Sequence, residues 1–286
     1  MTPAGTTIEL ADSQGGIAVP AARDDLRAFL PGLEPERRVS DWGRSERVDG
    51  LADRTLYEFL YRYWFRAEIE AVENVPSQGG VLLVANRGGA ASTGGAMIAK
   101  ALREEHPHPR QVQLVTDGSL QGLPGVGMLA RKLGAVADHP ANLHRLLFDE
   151  RQLVLAFPEP TDGAGKAFSE RYRLRRFDRS AFVDAAVRAG VPIVPIALLG
   201  AEEAAPVFAH IAPLRRLTRL PRIPVSTGIP LPAKFRVRFL EPVDTRELCH
   251  AAGDRAAVQA LAQQIRGLIQ ANLLEMVAQR RSVWLG

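Results

Sequence analysis

The sequence predicts an α/β fold on a central, mostly parallel sheet. Three observations carry this. Short, fully apolar runs of strand length recur along the chain, helix-period segments separate them, and Gly or Pro turns bound most of them. With 286 residues, 46% of them hydrophobic, the chain is long enough to bury the core of one large domain.

Taken in order, residues 1 to about 35 are rich in Ala, Gly, Thr and Pro without sustained periodicity. They read as a mobile tail with one short helix over 24–30. Over 51–65 the apolar residues Leu56, Phe59, Leu60, Tyr63 and Trp64 recur at helical spacing. Packing on the core is the ordinary fate of such a face; the alternative is an aromatic face dipping into lipid headgroups. Asn74-Val75-Pro76 and Gly79-Gly80 mark turns, 81–85 is a strand, 86–95 a Gly-rich loop and 96–104 a helix. Further strands are expected over 111–116, 153–157, 192–199 and 234–239. Helices are expected over 126–133, 141–148, 180–189 (closed by Gly190) and 255–279. The domain is expected over 46–286, with 1–45 a variable tail, and the chain holds no internal repeat.

Charge and cysteine content narrow the function classes. Lys and Arg number 36 against 32 Asp and Glu, a net charge of +4. This mild excess suits an anionic lipid surface, and without basic stretches interleaved with aromatics it gives no support for nucleic-acid binding. The one cysteine, Cys249, excludes an internal disulfide and fits a reducing, cytoplasmic setting. Residues 1–16 lack a basic start followed by an apolar core, so no secretory leader is expected. No apolar run approaches the roughly 20 residues that span a bilayer. Membrane contact would therefore be peripheral, on the inner face of the plasma membrane.

The 81–95 segment is a strand–loop–helix junction, where free N–H groups at a helix start favour an anion. Gly88-Gly89-Ala90 does not have the Gly-x-Gly order of dinucleotide sites. In the 160–167 stretch Pro160 and Ala167 stand where a triphosphate loop needs Gly and Ser or Thr. Nucleotide binding therefore requires the amides of 88–95 to converge on one point. The histidines show no metal-ligand spacing, no metal or cofactor is expected, and Ser92 lacks the hydrolase elbow context. Phe157-Pro158-Glu159-Pro160 ends a strand with a Glu held between prolines at the edge where ligands bind in parallel sheets. The arginine-rich blocks 171–179 and 215–222 suit either a solvated face or anionic lipid.

Several pieces occur in a telling order: Glu73-Asn74-Val75-Pro76, 81–86, Gly95-Ala96-Met97, Leu123-Pro124 with 129–134, Phe157-Pro158-Glu159, 165–172, Arg188-Ala189-Gly190, Pro192-Ile193-Val194-Pro195, Gly200-Ala201-Glu202-Glu203 and 279–283. Together they resemble the phospholipid/glycerol acyltransferases, specifically the bacterial lysophospholipid-acyltransferase-like branch, over about residues 45–286. The resemblance implies a single acyltransferase-like α/β domain with flanking helices, a flexible N-terminal tail and a long C-terminal helix. It implies acyl transfer from acyl-CoA or an acyl-carrier thioester to a lysophospholipid or acylglycerol hydroxyl. In that family a His, oriented by an Asp, is the general base, and a Phe-Pro-Glu-Gly block binds the glycerol or phosphate part.

This chain departs at those positions. Arg87 follows Asn86 in place of the His, Gly94 precedes Gly95 in place of the Asp, Ser92 replaces the preceding Pro, and Pro160 replaces the Gly of the third block. A guanidinium with a pKa above about 12 takes no proton near neutrality, and general-base catalysis is worth about 10²–10⁴-fold. The resemblance leaves Asn86, Arg87, Phe157, Pro158, Glu159, Lys166 and Arg171 as candidate substrate-binding residues, with no catalytic residue intact. It implies a degenerate member that binds a lipid or acyl-thioester ligand or supports an active acyltransferase. An active enzyme using Asp117, Glu159 or His139 as base is the alternative, and a nucleotide-binding module is the third reading.

Overall fold

A computed structural model describes residues 40–88, 93–116, 125–160, 166–177, 180–211, 223–246 and 254–284. The expected N-terminal tail with its helix over 24–30 lies outside them. So do Ser92, Asp117, the 163–165 glycines, the 215–222 basic block, Cys249 and His250.

Helix α1 (Glu46–Ala52) starts where Ser45 caps it, its side chain accepting from the Val48 N–H. Two π-helical turns, Asp53–Tyr57 and Leu60–Trp64, continue it. The helix expected over 51–65 therefore begins earlier, at its cap. Ahead of it, Trp42 Nε1 donates to Glu150 at 2.8 Å and Arg44 donates to the Val112 carbonyl at 3.0 Å, so this stretch is fastened to the domain. Strands β1 (Glu68–Glu70) and β2 (Val81–Ala85) follow, then α2 (Thr93–Glu104), β3 (Val112–Thr116) and α3 (Val126–Lys132). Next come β4 (Ala135–Ala137), α4 (Pro140–His144) with a π-helical turn at Arg145–Asp149, β5 (Leu153–Ala156) and α5 (Ala181–Ala189). After β6 (Ile193–Leu199), the short α6 (Ala201–Ala204) leads into the hairpin of β7 (Val207–Ile211) and β8 (Ile223–Ser226). Strand β9 (Arg236–Phe239) and the long helix α7 (Arg255–Gln279) complete the described chain.

The main sheet has the order β1-β9-β6-β2-β5-β3-β4. Its strands from β6 to β4 are parallel; β9 runs antiparallel to β6, and β1 parallel to β9. The mostly parallel sheet is thus as expected. Every residue of β2 is fully buried, as a strand covered on both faces must be. Its side chains alternate between two cores. Leu82 and Val84 join Val183, Ile265, Ile269 and Leu273 under α5 and α7, while Val81, Leu83 and Ala85 join Met97, Ile98 and Leu102 of α2 with Phe65 and Phe235. Phe65 and Phe235 stack at 4.2 Å.

The face of the 46–64 helical segment is a correction to simple core packing. Leu60 is buried, but Leu56, Phe59 and Tyr63 are 54%, 49% and 68% exposed. The charged edge strand β1 also differs from the expectation: Glu68-Ile69-Glu70 has no apolar run, yet Glu70 accepts from Arg236 and Arg238 at 2.6 Å across the ladder. Such charges protect a sheet edge from further pairing. Among the described residues no helix is long and apolar enough to cross a membrane.

Candidate functional site

The carboxyl ends of β2, β5 and β6 lie side by side, and side chains from all three meet just beyond them, the place where parallel sheets present ligands. Asn86, one residue past β2, is 1% exposed. Its Nδ2 donates to the Leu198 carbonyl at 2.8 Å and its Oδ1 accepts from the Leu198 N–H at 2.7 Å. The side-chain amide thus pins the end of β2 to β6.

Arg87 turns away from the strand with its backbone held. Its N–H donates to Glu159 Oε2 at 2.9 Å, and its guanidinium carbon lies 6.0 Å from the centroid of the Phe157 ring, within cation–π range. Gly88 packs flat on α6, where a β-carbon would come within 2.4 Å of Ala201 Cβ. The position of the expected carboxylate is crowded as well. A β-carbon on Gly94 would meet Leu198 Cδ2 at 2.5 Å. The one atom that would have to shift is this terminal methyl of Leu198 on β6.

Glu159 is 6% exposed and accepts two backbone N–H groups, those of Arg87 and of Arg175, each at 2.9 Å. It therefore joins the Arg87 turn to the 166–177 segment, and its lone pairs are directed at amides. Lys166 sits 3.8 Å from Glu159 Oε1, pairs with Glu202, and donates to the Arg173 carbonyl at 2.8 Å. Glu202 also accepts the Tyr172 N–H at 2.6 Å. Burial pushes the Glu202 carboxyl above the ordinary glutamate range, against the opposing pull of Lys166 and the Tyr172 amide. Its neighbour Glu203, 3% exposed, accepts from the Tyr172 hydroxyl and from Arg280. Burial and that carboxylate push the Tyr172 phenol up to about 12. Tyr172 itself has φ +65, a backbone conformation rare for a bulky residue. Gln270 of α7 holds it by accepting from the Leu174 N–H and donating to the Tyr172 carbonyl, both at 2.7 Å.

Arg171, in contrast, turns toward aromatic rings, 4.5 Å from the Phe168 centroid and 5.3 Å from that of Tyr172. His139 caps α4, its Nδ1 accepting from the Ala141 N–H at 3.2 Å. Asp117 and the 89–92 part of the loop, on which the third base candidate and the nucleotide reading rest, lie outside the described residues.

An apolar groove of about 540 Å³ lies beside the first turn of α2. Leu56, Phe59 and Trp64, Ile229 and Pro230, and Thr93 and Ala96 of α2 line it. Trp64 Nε1 donates to the Pro230 carbonyl at 3.0 Å, which fastens two of the lining segments together. Thr93 adjoins Gly94, and its Oγ1 is buried without a hydrogen-bond partner. Sequence reasoning missed Leu198, Thr93 and the role of Glu202. The pair Glu202-Glu203 was visible after Gly200 in the ordered motif set, but its partners Lys166, Tyr172 and Arg280 are set by the fold.

The family profile described as Acyltransferase matches residues 66–199. An uncharacterized protein of Mycobacterium tuberculosis is 36% identical over 278 residues, covering 94% of this chain and 76% of its own. A counterpart in Mycobacterium leprae is 35% identical, covering 94% of this chain and 75% of its own. Among solved structures, the 1-acyl-sn-glycerophosphate (LPA) acyltransferase PlsC from Thermotoga maritima is similar in fold. Its TM-score is 0.55 at 18% identity, over 90% of this chain and 88% of that one.

Proposed function

Since this chain belongs to the acyltransferase family, we propose that it is a catalytically degenerate member that holds the acyl chain of a glycerolipid or acyl thioester without transferring it. One observation carries the reading. The two positions the resemblance assigns to the base and its orienting acid carry Arg87 and Gly94, neither of which can take a proton, while an apolar groove lined by Thr93, the residue before Gly94, remains open. A base–orienter pair needs two side chains in hydrogen-bond reach; here one position is an arginine beside Phe157 and the other a glycine with no side chain.

The groove has the size and apolar lining of small-molecule sites, which generally span about 300–1,000 Å³. Thr93 Oγ1, buried without a hydrogen-bond partner, gives the lining one polar atom suited to the carbonyl or carboxylate oxygen of an acyl group. Leu56 and Phe59, which line the groove, and the neighbouring Tyr63 are exposed and support peripheral contact with a lipid surface. Support of an active acyltransferase partner is compatible with this role.

Native mass spectrometry of the purified protein, with a radiolabelled acyl-CoA to lysophosphatidic acid transfer assay, tests the reading. Co-purified lipid or acyl species with no transfer above background is expected. Robust transfer by the pure protein would overturn the degenerate reading, and failure to retain any acyl species would overturn the binding role.

A further inference from the structure

Helices α1 and α3 lie side by side: the N–H of Ser45, the cap of α1, donates to the carbonyl of Lys132, the last residue of α3, at 3.0 Å. Both are inverted relative to an ordinary surface helix, which buries its large apolar residues and turns small and charged ones to water. In α3 Gly127 is buried and Ala130 half-buried, whereas Val126, Met128 and Leu129 are 48%, 62% and 51% exposed. In α1 the buried residue is Asp49, which pairs with Arg44 at 3.0 Å and with Arg103 at 2.8 Å, while Leu51 is 61% exposed. None of these four apolar side chains belongs to either core cluster. Large apolar side chains left outside on two adjacent helices mark a surface that another phase covers.

The charges around them have one sign. Arg47, Arg54 and Arg131 are exposed, and among the described residues none of them has a carboxylate partner. Arg62, Arg145 and Arg188, also exposed, each pair with a carboxylate. Glu46 is the one exposed carboxylate on α1 or α3.

We propose that the α1–α3 pair is a second docking element for an anionic lipid bilayer, with Leu51, Met128 and Leu129 inserted below the headgroups and Arg47, Arg54 and Arg131 at the lipid phosphates. The inference rests on the peripheral contact argued above for Leu56, Phe59 and Tyr63, and adds a separate point of attachment. The chain stays helical from α1 through the segment that carries those three residues, so the two attachments belong to one continuous element and together fix how the protein sits on the surface. Arginine suits the rim of such a site. Its stem lies along apolar neighbours while the guanidinium reaches out to phosphate oxygens. The two helices carry no aromatic residue, the side chains that anchor protein interfaces, whereas a bilayer asks only for apolar side chains flanked by cations.

The test uses the full chain with phosphatidylcholine vesicles, with and without phosphatidylglycerol, and reads partitioning by sedimentation. Leu129→Asp, at an exposed position outside the core, is expected to lower partitioning to the anionic vesicles roughly tenfold. Arg47→Gln, Arg54→Gln and Arg131→Gln are each expected to lower it about fivefold and to leave binding to pure phosphatidylcholine unchanged. Location is read separately, by a nitrobenzoxadiazole label on Met128→Cys in a Cys249→Ser background. Its emission is expected to shift to the blue when anionic vesicles are added, as is that of the same label on Tyr63→Cys. Should Leu129→Asp fail to fold, the labelled proteins carry the test. A shift at Tyr63 without one at Met128 overturns the α1–α3 docking and leaves the aromatic contact standing. No binding of the wild type to either kind of vesicle overturns both. Self-association in solution that Leu129→Asp abolishes, without a blue shift at Met128 on vesicles, places a second copy of the chain on this surface and likewise overturns the inference.

Discussion

The backbone N–H of Arg87 donates to Glu159 Oε2 at 2.9 Å. Glu159 comes from the strand-end block that the family resemblance assigns to substrate, yet its other oxygen accepts from Arg175 N–H, so both oxygens hold protein backbone. A carboxylate engaged this way positions a loop and is poorly placed to take a proton from an alcohol.

Glu159→Gln should therefore act through stability. The amide keeps one acceptor oxygen but turns an N–H₂ toward a backbone N–H, leaving a buried donor unsatisfied. The expected loss is about 1–3 kcal/mol, read from the midpoint of urea unfolding at constant slope. A variant as stable as the wild type would mean that the two amides find other partners.

Gly94 and Leu198 yield a prediction about restoring the missing catalytic pair. An Asp at Gly94 needs Leu198 Cδ2 to move, since it lies 2.5 Å from where the new β-carbon must lie, so any acyl transfer gained by Arg87→His with Gly94→Asp should be greater in a Leu198→Ala background. The steric part is measurable alone. Gly94→Ala should cost about 1–3 kcal/mol by overpacking, and much less in a Leu198→Ala background. The resulting double-mutant coupling should lie within about 0.5–3 kcal/mol. Additive losses would show that Leu198 moves aside freely.

Glu202 gives the pH dependence of this region. Burial raises its folded-state pKa over the unfolded value, near about 4.3 for glutamate. Between those two values the folded state binds more protons than the unfolded one, so Glu202's contribution to stability falls as pH rises through that window. Glu202→Gln removes this titration. Urea unfolding from pH 4 to 8 should show the wild type losing stability relative to Glu202→Gln as pH rises above the ordinary glutamate range. A parallel pair of pH curves would sink the assignment.

The central strands were legible because β2, β5 and β6 are buried on both faces and must read as apolar runs, and α7 was legible over its whole length for its regular apolar period. Strands β1 and β4 have three residues each, too few for a period to register, and Glu68 and Glu70 pair with arginines that are distant in sequence. Within the site, the order of motifs located Asn86, Arg87, Gly94 and Glu159. What those residues do was not legible, because it depends on register: the Asn86 amide is used by Leu198, a residue 112 positions away. The same strand register places Leu198 against Gly94, and no local pattern carries that information.

The exposed aromatic face of the 46–64 segment leads to the last prediction. Phe59 stacks on Tyr63 at 6.3 Å and lies 5.9 Å from Trp64, so the three rings adjoin, and Phe59 and Tyr63 are 49% and 68% exposed. Insertion of such a face into a headgroup layer gains the transfer energy of each ring, about 1.5–3 kcal/mol for full burial of a large apolar side chain, and the protein's net positive charge favours anionic lipid. Sedimentation with phosphatidylcholine vesicles containing phosphatidylglycerol should show binding that weakens with salt. Tyr63 lies outside the groove's lining, so Tyr63→Asp separates surface contact from chain binding. It should lower vesicle partitioning by about tenfold while leaving the acyl species retained in native mass spectrometry unchanged. Equal loss of both in a folded variant would show that the rings serve the groove alone.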